Sequence, residues 1–195
     1  LLEIPSPIKQ NIAISIPGNV NYEAESLNLQ QAGEMYSYAF DVVTKAISLD
    51  YLWNSIRVKG GAYGAGINIA NSGTLSFYTY RDPSIKSSFE SIAKTSQYLQ
   101  TYTPNSEEFE VYIIIQVSAI DNPKKPKARM DHINSLYFMG ADDKLDSIKR
   151  KDALACKTED FKKLGKILEA HKKDFAFACI GNAKQIEDEV PDFHI

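Results

Sequence analysis

Two hydrogen-bond donors stand close together in the stretch YLWNSIRVKGGAYGAG, residues 51–66: the guanidinium of Arg57 and the phenol of Tyr63. Between them lies Gly60-Gly61-Ala62. Held side by side, an arginine and a tyrosine can bind a peptide carbonyl, or stabilise the oxyanion that develops when water attacks it. Neither activates water, so a metal or a base must come from elsewhere. Bringing the two together requires a reversal of the chain. Arg57 falls in the last turn of an amphipathic helix, the double glycine stops that helix, and Tyr63 opens a strand. Glycine suits the stop because it accepts positive φ without a Cβ clash. Taken singly, both residues have plainer roles open to them: Arg57 as a cation at a helix C-terminus, Tyr63 as a half-buried strand residue.

Other chemistries lack their residues. His132, His171 and His194 are never spaced i, i+4, and neither His-Glu-x-x-His nor His-x-x-Glu-His occurs, so this chain is expected to bind no metal. Each histidine reads as a surface residue. Cys-x-x-Cys and Gly-x-Ser-x-Gly are absent. Gly61 and Gly66 have P-loop spacing, but Ile67-Asn68 stands where Lys-Ser/Thr is required, and Gly61, Gly64 and Gly66 come in the wrong order for a dinucleotide fingerprint. They also follow a helix and precede a strand, the reverse of a phosphate loop. Of the two cysteines, Cys179 sits in the apolar run FAFACIGN and reads as a buried hydrophobe, and Cys156 in a mixed Lys/Asp region. A pair in a domain of this size favours free thiols over a disulfide.

The net charge of −3 is uneven: residues 124–173 carry 14 Lys/Arg against 8 Asp/Glu. Those lysines are interleaved with acids, as in KKLGKILEAHKK, which describes solvated helix faces rather than a nucleic-acid surface. No apolar run approaches the ~20 residues of a membrane helix. The opening LLEIPSPIKQ is no signal peptide and lacks an initiator methionine, so the 195 residues are expected to be one domain of a longer polypeptide.

Residues 11–29 alternate apolar and polar around Pro17-Gly18-Asn19 and read as extended structure with a turn. Residues 33–48 carry a helical apolar stripe through Tyr36, Ala39, Phe40, Val43, Ala46 and Ile47. A second set, Leu49, Leu52, Trp53 and Ile56, is out of phase with it, which predicts a second short helix or a bend near Asp50. AYGAGINIA and TLSFYTYRD around Asn71-Ser72-Gly73 predict an antiparallel hairpin. One helix is expected over 85–101, another from Asn105 to about Ile120, a loop over 123–135 leading into further helix, a helix from Thr158 through His171, and a buried strand at 175–182. The order predicts an α+β fold: an antiparallel sheet with helices on one face.

LWNSIRVKGGAYGAG followed by GTLSFYTYRDP closely resembles the C-terminal half of the M16 metallopeptidases, in the presequence-protease-like branch related to insulinase and pitrilysin. IPGNVNYEAESLNL and FAFACIGN resemble that family's entry and closing strands, so the likeness covers nearly the whole chain. It implies four homologous α+β domains enclosing a chamber, with zinc on His-x-x-Glu-His in the N-terminal half. It further implies that this chain is the last domain, binds no zinc itself, and supplies Arg57 and Tyr63 across the chamber. The reaction implied is zinc-assisted hydrolysis of short unfolded peptides. Tyr63 would bond the scissile or adjacent carbonyl, Arg57 would orient it or carry part of its charge, and Gly60, Gly61 and Ala62 would leave room for substrate backbone. Expected partners are the peptide and the remaining domains of the same polypeptide, with no nucleic acid or membrane. The bacterial cytoplasm is the expected compartment, an organellar matrix the alternative. A non-catalytic structural or interaction module of the same fold is the rival reading.

Overall fold

The computed structural model describes residues 11–141 and 144–194. Strands β1 (Ile12–Ser15), β2 (Tyr22–Asn28), β3 (Gly64–Ile69), β4 (Thr74–Tyr80) and β5 (Ala176–Gly181) form a sheet in the order β1-β5-β2-β4-β3. The β3–β4 hairpin forms as expected, with Ile67 opposite Phe77 and Gly64 opposite Tyr80. β2 lies antiparallel to both β4 and β5, whereas β1 runs parallel to β5. The sheet is therefore mixed at one edge. β1 and β2 are consecutive, yet the turn at Pro17-Gly18-Asn19 does not pair them. The last strand inserts between them, an arrangement that local sequence cannot announce.

One face of the sheet is covered by helices. Leu27, Leu75 and Phe77 point inward and pack with Phe40, Val43, Ile47, Leu52, Ile56, Leu99, Phe161 and Leu164. Helix α1 (Phe40–Ala46) passes without a break into a π-helical segment, Ile47–Val58. The second apolar set is out of phase with the first because of this wider winding. An i, i+5 repeat moves the stripe, so Ile47, Leu52 and Ile56 are buried while Leu49 and Trp53 face outward. Instead of one helix over 85–101 there are two, α2 (Ile85–Ala93) and α3 (Thr95–Thr101), divided at Lys94. Helix α4 (Ser106–Asp121) starts at a capping box in which Asn105 Oδ1 accepts from Glu108 N at 2.9 Å. The expected loop at 123–135 is instead mostly helix: α5 (Pro126–Phe138) begins with proline in its first turn, where the missing N–H costs nothing. Helices α6 (Leu145–Leu154), α7 (Thr158–Ala170) and α8 (Ala183–Glu189) complete the chain. Gly165 lets α7 meet α3: a Cβ there would lie 2.9 Å from that of Leu99. No described helix is long and apolar enough to cross a membrane.

β2 also buries two carboxyls on the helix-covered face. Glu23 is 2 % exposed and Glu25 is 6 % exposed. Neither Glu23 oxygen nor Glu25 Oε2 has a hydrogen-bond partner among the described residues. Burial, then the neighbouring Asp82 carboxylate, pushes Glu23 up to about 9; burial alone pushes Glu25 up to about 8. The folded state therefore holds more protons than the unfolded chain between the ordinary glutamate range and these values. Stability conferred at low pH is lost as pH rises from about 5 to 8 or 9. Glu23→Gln and Glu25→Gln should each flatten that loss and raise stability at pH 8 by more than about 1 kcal/mol. Urea denaturation at pH 5, 6.5 and 8 measures it, and parallel profiles for wild type and variants would refute it.

Candidate functional site

The π segment ends in an enlarged version of the usual helix terminus. Lys59 N bonds Asn54 O at 3.1 Å, Gly61 N bonds Arg57 O at 3.0 Å, and Ala62 N reaches back to Ile56 O at 3.2 Å. The last bond closes a loop one residue longer than the ordinary glycine-capped turn. Gly61 supplies the left-handed residue, φ +85°. Gly60 fills a different need: a Cβ on it would lie 2.5 Å from the Ile56 carbonyl oxygen. The two glycines are therefore required for separate reasons, one conformational and one steric.

This corner brings Arg57 to Tyr63. Arg57 Nε donates to the Tyr63 carbonyl oxygen at 2.9 Å. Its Cζ lies 3.8 Å from the centroid of Trp53, one turn earlier on the same segment. The guanidinium is thus held from two sides. Its two terminal NH₂ groups have no protein partner among the described residues. Tyr63 is 69 % exposed and packs edge-to-face on Tyr80, which packs in turn on Tyr22, at ring separations of 5.8 and 5.4 Å. Tyr80 shares the helix-free face of the sheet with Tyr78.

Arg57, Val58, Gly61, Ala62, Tyr63 and Arg81 line an open depression of about 610 Å³. Ala62 is also part of the core below, and Gly60 serves the turn without lining the depression. Arg81 has the left-handed value φ +51°, which costs a non-glycine residue on the order of 1 kcal/mol. The neighbouring bonds impose it. Asn21 and Asp82 exchange both backbone bonds at 2.8 Å, and Tyr63 N is shared between Tyr80 O at 3.1 Å and Arg81 O at 3.4 Å. Asp82 accepts from Ser84 N and Ser88 Oγ, which anchors the strand end to α2.

The plain readings of the remaining groups hold in part. His194 is exposed, but His132 is half-buried against Asp146 at 2.8 Å, and His171 bonds both Asp174 and Glu34, which raise its pKa. Cys156 and Cys179 are free, and burial pushes both thiols up to about 12. A larger groove of about 840 Å³ lies between the end of α4, α5 and α6; His132 and Asp146 line it, and it shares no residue with the depression at Arg57 and Tyr63. Among the described residues, no cluster of three or more His, Cys, Asp or Glu side chains could hold a metal.

Residues 11–183 match the profile described as the PreP C-terminal domain. The chain belongs to that family. Curated relatives agree with the branch that the sequence resembles. Presequence protease 1 of Arabidopsis thaliana, chloroplastic/mitochondrial, is 27% identical over 91% of this chain and 17% of its own length. The mitochondrial presequence protease of Saccharomyces cerevisiae is 30% identical over 72% of this chain and 14% of its own. Protein HypA of Clostridium perfringens is 29% identical over 92% and 18%. The chain thus spans less than a fifth of these relatives. Solved structures share the fold: a peptidase M16 inactive domain from Pseudomonas fluorescens has a TM-score of 0.62 at 12% identity, covering 94% of this chain and 46% of that one. The periplasmic protease PqqL from Escherichia coli has a TM-score of 0.63 at 10% identity, covering 97% and 24%.

The sequence reading singles out Arg57, Tyr63 and the glycine corner, but it assigns Trp53 to an apolar stripe and passes over Arg81 and Tyr80. Trp53 had an available signal, its i, i+4 spacing from Arg57. Arg81 had none, because its backbone angle is imposed by Asn21 and Tyr63. The corner itself makes a stability prediction. Gly61→Ala should cost about 1–2 kcal/mol. Gly18→Ala, where φ is ordinary and a Cβ meets nothing within 4 Å, should be neutral or mildly stabilising. Urea midpoints of the two variants compare them directly, and equal midpoints would refute the claim.

Proposed function

We propose that this chain is the substrate-facing, zinc-free domain of a peptide-degrading metallopeptidase, in which Arg57 and Tyr63 grip the peptide carbonyl under attack. The supporting observation is the preorganisation of Arg57, whose Nε is tied to the Tyr63 carbonyl and whose Cζ lies over the Trp53 ring. A guanidinium fixed in this way spends little entropy when its terminal N–H groups engage a ligand. The phenol of Tyr63, open to solvent at the same corner, adds a second donor. Such donors act where negative charge develops on oxygen.

The described residues of this chain do not fit zinc. The zinc that the relatives' family implies would belong to another part of the full-length enzyme, and no role of Arg57 or Tyr63 is routed through it. What these two residues do is bind and orient the carbonyl and carry part of its charge. Gly61 and Ala62 leave the wall of the depression low, so that an extended peptide backbone can approach. Peptide substrate and the remaining domains of the polypeptide are the partners this reading requires.

The test is made in the full-length enzyme. Arg57→Ala and Tyr63→Phe should each lower kcat by ~10²-fold, the usual loss for an oxyanion donor. Trp53→Ala, which frees the guanidinium without removing it, should have a smaller effect of the same kind. Near-normal turnover in both Arg57→Ala and Tyr63→Phe would leave the domain as a structural or interaction module of the same fold.

A further inference from the structure

The depression has a second guanidinium that carbonyl binding does not require. Arg81 lines it together with Arg57 and Tyr63, and no acidic residue lines it. Among the described residues neither Arg57 nor Arg81 has a carboxylate within ion-pair distance. Two arginines without an acidic partner therefore line one depression on a chain whose net charge is −3.

The backbone of Arg81 makes its presence harder to dismiss. Its φ of +51° is one that glycine or asparagine adopts more easily. The turn by itself favours those residues, so an arginine stands here against the local preference. Strain of this kind, where the surroundings over-determine it, marks functional positions. Here the surroundings are the Asn21–Asp82 bond pair, the shared Tyr63 N–H, and the anchoring of Asp82 by Ser84 and Ser88. The same peptide N–H, that of Tyr63, ties the left-handed residue to the donor corner. Arg81 is thus fixed relative to Arg57 by backbone bonds.

We propose that Arg81 binds a carboxylate of the peptide substrate, making it the specificity-determining residue of this depression. The ligand chemistry is a planar anion held by the guanidinium fork. Its source is either the free C-terminus of a short peptide or an Asp or Glu side chain near the scissile bond. This rests on the reading of Arg57 and Tyr63 as carbonyl donors, but Arg81 acts on affinity rather than on the chemical step.

The experiment uses the full-length protease and three matched peptides: one with an acidic residue and a free C-terminus, one amidated at the C-terminus, and one with the acidic residue replaced by its amide. Arg81→Ala should raise KM for the first peptide roughly tenfold or more, the loss expected for one charge-assisted contact, with kcat nearly unchanged. The peptide lacking the bound carboxylate should show the raised KM already in wild type, and Arg81→Ala should add nothing to it. Which of the two modified peptides behaves this way identifies the source. Arg81→Gly relieves the left-handed strain while removing the guanidinium, so it should keep full stability and show the same loss; Arg81→Lys should fall between. Equal effects of Arg81→Ala on all three peptides, or no effect on any, would overturn the proposal. Arg57→Ala separates the two readings: it should lower kcat for every peptide. A kcat loss there with charge-blind Arg81 kinetics refutes only the carboxylate subsite. Charge-dependent Arg81 kinetics with an inert Arg57 refutes only the carbonyl-donor reading.

Discussion

A helix can deliver a side chain to the end of a sheet, and it reverses most tightly towards the strand that follows through a residue of positive φ. Here Gly61 is that residue, and the bond from Ala62 N to Ile56 O closes the reversal. Everything at the candidate site descends from this one turn. It sets Tyr63 under the reach of Arg57 Nε, gives β3 its starting point opposite Tyr80, and leaves the rim open where the chain is all glycine and alanine. The π winding that precedes it is part of the same device. Trp53 and Arg57 lie on an outer face because Ile47, Leu52 and Ile56 take the inner one, so the cation–ring pair faces outward while the segment remains anchored in the core.

A second constraint holds the far wall. The strand end at Arg81-Asp82 cannot relax, because Asn21 brackets it by backbone bonds and its side-chain amide reaches both Asp82 O and Gln185 Oε1 at 3.0 Å. Glu189 on α8 accepts from Ile85 N and Lys86 N, capping α2 from the other end of the sequence. Asp82 belongs to this junction and lies beside buried Glu23. Of the two carboxyls, Asp82 is the one supplied with donors, so the ionised state falls to it and the proton to Glu23. The polar junction thus links the last helix of the chain, the entry strand and the wall of the depression in one network. Loss of a member leaves buried polar groups without partners.

Much of this was legible in the residues. The approach of Arg57 to Tyr63, the glycine stop, the β3–β4 hairpin, the helix start at Asn105 and the closing strand all rest on local rules, and local rules read directly from sequence. The misreadings share a different character. The parallel β1–β5 pairing depends on a strand more than 160 residues away. The phase slip at Asp50 looks like a bend, because an i, i+5 repeat with only three buried positions is too short to identify as a winding. Pro126 reads as a loop residue until its place at the start of α5 is known. Arg81 carries no sequence mark of its strained angle, and Glu23 and Glu25 look like the solvent-facing half of an alternating strand. In β2 the period is correct, but Glu23 and Glu25 share the covered face with Leu27, so polarity is inverted in the first half of the strand only, and tertiary packing decides which face is covered.

That inversion bears on what the domain can do. Its glutamates sit on the helix-covered face, neutral through most of the physiological range, whereas the face free of helices carries tyrosines and the exposed corner carries arginines. A carboxylate near the depression would neutralise the guanidinium groups and compete with any ligand oxygen for their N–H donors. With Glu23 and Glu25 buried on the covered face and Asp82 taken up by Ser84 N and Ser88 Oγ, no carboxylate lines that corner. A surface of donors with no base can recognise an oxygen-rich ligand and stabilise charge on it, but cannot initiate hydrolysis. The chain spans under a fifth of its curated relatives, and in the proposed reading recognition and charge stabilisation fall to it while the groups that attack the peptide lie outside it.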